Sequence, residues 1–159
     1  MNRYFSLMLV FAVAMLSSGS GCSRVAEQGA CLNERTRPAV VRWGDYDTKS
    51  GQLRAYQFAG SLELATVRRE TYQEQPEVAV FQPLDGRVFC TWLRKTLDVF
   101  EQIQTLNAPG EMSRYVEYST PKTTIRAVWN PKFQTYGSKE FRALYDSLMT
   151  LVPAGKRWE

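Results

Sequence analysis

Few side chains in this chain could do covalent or acid–base chemistry. Three are thiols: Cys22, Cys31 and Cys90. There is no histidine, which removes Ser-His-Asp and Cys-His nucleophile pairs, His-ligated zinc and the usual proton carrier near neutral pH. No Gly-rich phosphate loop, GxSxG elbow or CxxC motif occurs. Carboxylates remain. Two of them flanking a bond can cleave a glycoside, and Glu63, Glu117 and Asp146 are the candidates. Nothing in their spacing brings two of them together. In "DYDTKSGQ", Asp45 and Asp47 have the spacing of calcium-loop ligands. Lys49 stands where a third ligand belongs and Gly51 comes one residue late. That stretch reads as a hairpin turn. The sequence assigns no catalytic residue, no metal ligand and no cofactor, and the expectation is a protein that is not an enzyme.

The thiols carry more information. Arg3 precedes an apolar run from Phe5 to Leu16, broken only by Ser6, and small residues fill positions 17–21. The run is far short of the roughly 20 residues that span a bilayer. A basic start, a short apolar run and small residues make residues 1–21 a secretory signal peptide. The "GSGC" that ends at Cys22 resembles the lipobox of bacterial lipoproteins. The usual lipobox has Leu three residues before the cysteine, where this chain has Gly19, and Leu16 lies further back. The resemblance implies a diacylglyceryl group on Cys22, cleavage just before it, and attachment to a membrane through that lipid. Ser23, rather than Asp, follows the cysteine. In a cell with two membranes this looks like an outer-membrane lipoprotein facing the periplasm. Ordinary cleavage after Ser20, with Ser18 and Ser20 as the small pair, is the alternative. With lipid on Cys22, Cys31 and Cys90 are left to pair as a disulfide in an oxidising compartment. The other reading of Cys90 is a buried thiol that packs as a small hydrophobe.

The formal charge is +4. Arg3 leaves with the signal, so the mature chain carries +4 − 1 = +3. The basic residues are scattered in pairs such as Arg35 and Arg37, Arg68 and Arg69, Arg94 and Lys95, Lys156 and Arg157. They read as solvated faces, and without a basic stripe nucleic acid is not an expected partner.

The elements that must position these groups follow from periodicity. Residues 22–37 are polar and read as a tether followed by a short ordered entry, and residues 38–159 as a single domain. "PAVVRWGDY" is β-rich, with Val41 and Trp43 on one face. In "LRAYQFAGSLELATV" the even positions Tyr56, Phe58, Leu62 and Leu64 are apolar on both sides of Gly60. This reads as one long strand over 53–67 bent at Gly60, or as a hairpin turning there. "EVAVFQ" is a further strand. Phe89, Leu93, Leu97, Phe100, Ile103 and Leu106 recur at helical spacing after an Asp85 N-cap, and Asn107, Pro109 and Gly110 end that helix. "SRYVEYSTPKTTIRAVWN" reads as two strands around Thr-Pro-Lys, and Phe141, Leu144, Tyr145 and Leu148 mark a last helix capped by Ser138.

The order argues for an α+β fold: an antiparallel sheet of about five strands with two amphipathic helices packed on one face. The other face of such a sheet can meet solvent or a partner, and a function could sit there. The polar, aromatic loops "RRETYQEQP" and "NPKFQTYG" also suit a contact surface. The expected function is an exported, membrane-tethered lipoprotein that binds or scaffolds another envelope protein. The alternatives are an inhibitor of an exported enzyme and a carboxylate-based hydrolase using Glu63, Glu117 or Asp146.

Overall fold

The structure, a computed structural model, describes residues 31–158 apart from 72, 104 and 105. Cys22 and the signal segment lie outside the described residues. From Cys31 onward the chain forms one compact unit.

Period-2 alternation builds strands β1 (Val40–Asp47), β2 (Leu53–Ala59), β3 (Glu63–Arg69) and β4 (Glu77–Pro83). Helix α1 (Gly86–Gln102) follows, then β5 (Asn107–Ala108), β6 (Met112–Thr120), β7 (Thr123–Trp129) and helix α2 (Tyr136–Met149). Among the described residues the seven strands form one sheet in the order β4-β3-β2-β1-β6-β7-β5. All neighbours pair antiparallel except β5, which runs parallel to β7. The fold is thus α+β, but the sheet is mixed and larger than the expected five or so antiparallel strands.

Two local events enlarge it. At Gly60 the chain turns, so residues 53–67 are two strands and not one bent strand. A Cβ on Gly60 would lie 2.3 Å from the Arg37 carbonyl oxygen and 2.6 Å from that of Thr36, so only glycine lets those segments pass. Leu62 closes the turn in the left-handed region at φ 64°, a position that usually falls to glycine or asparagine. The loop of Gly60, Ser61 and Leu62 has an odd length. Phe58 therefore faces Leu64 across the turn, and Tyr56 faces Thr66. The second event lies beyond α1, where Asn107 and Ala108 do more than stop a helix: they pair with Val128 and Trp129.

The apolar residues of β1, β2, β3, β6 and β7 that alternate onto one face meet both helices. Val41, Trp43, Tyr56, Phe58, Leu64, Val116, Ala127 and Trp129 bury against Phe89, Leu93 and Phe100 of α1 and Phe141, Leu144, Tyr145 and Leu148 of α2. Ring contacts join the layers: Phe58 to Phe89 at 5.6 Å and Trp129 to Tyr145 at 5.9 Å, both edge-on, and Phe100 to Phe141 at 5.0 Å. Asp85 caps α1 through the amides of Arg87 and Val88. In α2 the cap is Thr135 and not Ser138. Thr135 accepts the Ser138 amide at 3.3 Å, and the Ser138 hydroxyl accepts the Thr135 amide at 2.9 Å. Ser138 is the returning member of a capping box, with hydroxyls at both ends.

Cys31 and Cys90 form a disulfide, their Cα atoms 5.6 Å apart, within the range such bonds require. It ties the start of the described chain to α1. The turn at Asn33–Arg37, where the Arg37 amide donates to the Asn33 carbonyl at 2.9 Å, belongs to the same folded unit. No helix among the described residues is long and apolar enough to cross a membrane.

Candidate functional site

The helices cover one face of the sheet and leave the other. Register places the uncovered side chains in three rows. The first runs Arg126, Glu117, Arg42, Gln57, Ala65, Val80 across β7, β6, β1, β2, β3 and β4. The second runs Val128, Tyr115, Gly44, Ala55, Val67, Val78 across the same strands. The third runs Ser113, Tyr46, Leu53, Arg69 across β6, β1, β2 and β3.

The middle row is small at its centre. A Cβ on Gly44 would fall 2.3 Å from the Arg54 carbonyl oxygen and 2.5 Å from the Ala55 Cβ. Glycine here lets β2 approach β1 closely between the longer side chains of the rows on either side. Leu53, Ala55, Val67 and Tyr115 become a second buried cluster beneath them, with Tyr46 and Val128 packed against it. Above it opens a pocket of about 250 Å³, lined by Arg42, Tyr46, Leu53, Arg69, Pro76, Tyr115, Arg126 and Val128.

The charges of this face form a ladder. Glu117 is only 4 % exposed. Arg126 Nε donates to its Oε2 at 2.6 Å, and Arg42 Nη1 lies 3.5 Å from its Oε1. Arg42 also donates to the Gln57 side-chain oxygen at 2.9 Å. One carboxylate therefore holds two guanidinium groups, as a buried charge requires. Arg69 is held differently. Its Nε donates to the Gly51 carbonyl at 3.2 Å, and its guanidinium lies 5.9 Å from the Tyr46 ring centre. Among the described residues it has no carboxylate partner. Three cations thus meet one anion around the pocket.

Tyr115 completes the lining. Arg126 sits 5.2 Å above its ring. Its hydroxyl is buried without a hydrogen-bond partner among the described residues, and burial above all pushes it well above the ordinary tyrosine range, against the opposing pull of Arg42. A buried hydroxyl with no partner costs free energy.

The expected carboxylates fare differently. Glu117 is on this face, in the ladder. Glu63 is exposed at the β2–β3 turn, accepting the Ser61 hydroxyl at 2.8 Å. Asp146 is exposed on α2, on the helix side of the sheet. The three do not converge. Asp45 and Asp47 likewise separate. Asp47 caps the β1–β2 turn by accepting the amides of Lys49 and Ser50, and Ser50 foremost holds its carboxyl below the usual range. Asp45 points to the helix face, where Arg114 Nε and the Tyr145 hydroxyl donate to it at 3.3 and 3.4 Å. Burial raises its carboxyl above the usual range despite Arg114.

In the sequence Arg69 is one of the scattered surface charges, and nothing marks Arg42 or Arg126. One signal was within reach. Once the β6–β7 turn is placed at Pro121 and Lys122, counting back pairs Glu117 with Arg126. No protein-family model matches this chain, and no curated protein is significantly similar to it.

Proposed function

We propose that this protein is an exported lipoprotein, anchored through Cys22 to the outer membrane and facing the periplasm, that binds another envelope protein through the uncovered face of its sheet. It does so without catalysis. One observation carries the reading: the buried cluster of Leu53, Ala55, Val67 and Tyr115 continues without interruption onto Val78 and Val80 of the edge strand, which are 49 % and 55 % exposed. Adjacent exposed β-branched residues beside a pocket are what a partner would cover.

A photoreactive amino acid at position 80, introduced into the full chain in cells, is expected to give one discrete cross-linked species. The same group at Arg94, on the helix layer, is expected to give none. Equal labelling at both positions would remove the assignment to this face. An exported enzyme as the cross-linked protein would favour the inhibitor variant of this reading. Cys22→Ala is expected to move the protein out of the detergent phase, and unchanged partitioning would remove the anchor.

A further inference from the structure

We propose that the pocket between Arg42, Arg69, Arg126 and Tyr115 receives a carboxylate side chain of the partner, an Asp or Glu in an extended segment whose neighbouring apolar residues lie over Val78 and Val80. This rests on the reading of the uncovered face as a protein-binding surface and names the chemistry of its partner.

Three observations converge on it. The first is charge. Glu117 already engages Arg42 and Arg126, yet the pocket holds a third guanidinium, Arg69, tied among the described residues to a carbonyl and a ring and to no carboxylate. A fork of N–H donors at the wall of a partly enclosed space recognises an oxyanion better than any neutral group. The second is Tyr115, a lining residue of the same pocket whose buried hydroxyl has no hydrogen-bond partner among the described residues. A carboxylate that pairs with Arg69 and shifts the cover over that hydroxyl would take the tyrosine hydrogen bond as well. The third is size and setting. Sites for whole small molecules and cofactors run from roughly 300 to 1,000 Å³, and this pocket, at about 250 Å³, suits a side chain. Leu53 of its lining, on β2, lies two strands, about 10 Å, from β4 and its Val78. An extended segment covers that span in about three residues. The arginines line a partly enclosed pocket rather than a protruding surface, so a protein side chain reaches them more readily than a bilayer surface does.

The step is association alone; no bond forms or breaks. Burial of Glu117 sets which arginine can be tested. Removing Arg42 or Arg126 would strip a buried carboxylate of a partner, whereas Arg69 supports no buried charge.

The test uses the full chain, purified in detergent with its disulfide intact and labelled for NMR. The probes are the peptide acetyl-Glu-Thr-Ser-Val-Val-Thr-amide, its Gln analogue, and dihexanoyl phosphatidylglycerol below its micelle concentration. The Glu peptide is expected to shift the resonances of Tyr115 and Arg69 and to bind about tenfold or more tightly than the Gln peptide, the worth of one charge-assisted hydrogen bond. Arg69→Gln is expected to abolish that preference. Tyr115→Phe keeps the fold, since it deletes only an unpartnered hydroxyl, and is expected to weaken the Glu peptide severalfold and leave the Gln peptide unchanged. Equal binding of the two peptides, or a Glu preference that survives Arg69→Gln, overturns the proposal. Tighter binding of the phospholipid than of the Glu peptide overturns the choice of a protein carboxylate. The wider reading is tested separately: a cross-link at position 80 that persists in Arg69→Gln leaves the face as a docking surface and removes only the carboxylate anchor.

Discussion

The two faces of the one sheet are built from opposite materials. The helix-covered face carries Trp43, Tyr56, Phe58 and Trp129, with Phe58 set against a ring of α1 and Trp129 against rings of α2. The uncovered face carries Gly44 and Ala55 at its centre, arginines and a glutamate around them, and two exposed valines at its edge. Burial on the first face comes from a second layer of structure. On the other it comes from long polar side chains folding over small ones. The contrast separates a face that supplies stability from one that costs some of it. Large apolar side chains removed from water supply the folding free energy, while the uncovered face spends some of it on a buried carboxylate and an orphan hydroxyl.

The contrast is sharpest within β3, where Leu64 is buried and Glu63 exposed. Leu64→Ala is expected to cost about 2–5 kcal/mol, and Glu63→Ala to stay within about 0.5 kcal/mol, in denaturant unfolding. Similar costs at both positions would break the division of faces.

The next effect lies on the uncovered face itself. Glu117→Gln takes the negative charge from between Arg42 and Arg126. Because Arg126 is about half exposed and water screens it, the loss is expected near 1–2 kcal/mol rather than the larger figure for a fully buried pair. A neutral outcome would mean the ladder is solvated and not part of the fold.

Tyr115→Phe reaches the opposite sign. Deleting a buried hydroxyl without a partner is expected to raise stability by about 0.5–1 kcal/mol in the absence of ligand. A loss of that size would show that the hydroxyl is bonded.

The smallest effect belongs to Asp45, at the border between the sheet and α2. Its carboxyl is raised above its unfolded value of 3.8, so the folded state holds the proton more tightly than the unfolded one. Stability therefore falls as pH rises from the unfolded value through the folded one, and stays lower above it. Asp45→Asn is expected to unfold later than the natural protein above that window and to match it below. Parallel curves from pH 3 to 7 would mean that Arg114 cancels the cost of burial.

Much of this fold was legible in the chain because it depends on near neighbours. The helical spacing of Phe89, Leu93 and Phe100 marks the buried stripe of α1, and the alternation of Tyr56, Phe58 and Leu64 marks the covered face. That alternation could not decide between one strand and two. An odd-length loop keeps opposite residues at equal parity, so Phe58 and Leu64 share a face with or without a turn. The passage of Thr36 and Arg37 against Gly60, a contact remote in sequence, accompanies the turn.

Which residues are apolar, with what period, and which thiols are there to pair can be read along the chain. Only the tertiary structure decided the candidate site. Arg42, Arg69, Tyr115 and Arg126 come from β1, β3, β6 and β7, and each is unremarked within its own strand. Their convergence depends on β6 pairing beside β1 rather than beside β4. Periodicity tells a side chain which way to face; it does not tell a strand which neighbour to choose, because that choice is made by contacts between segments far apart in the chain.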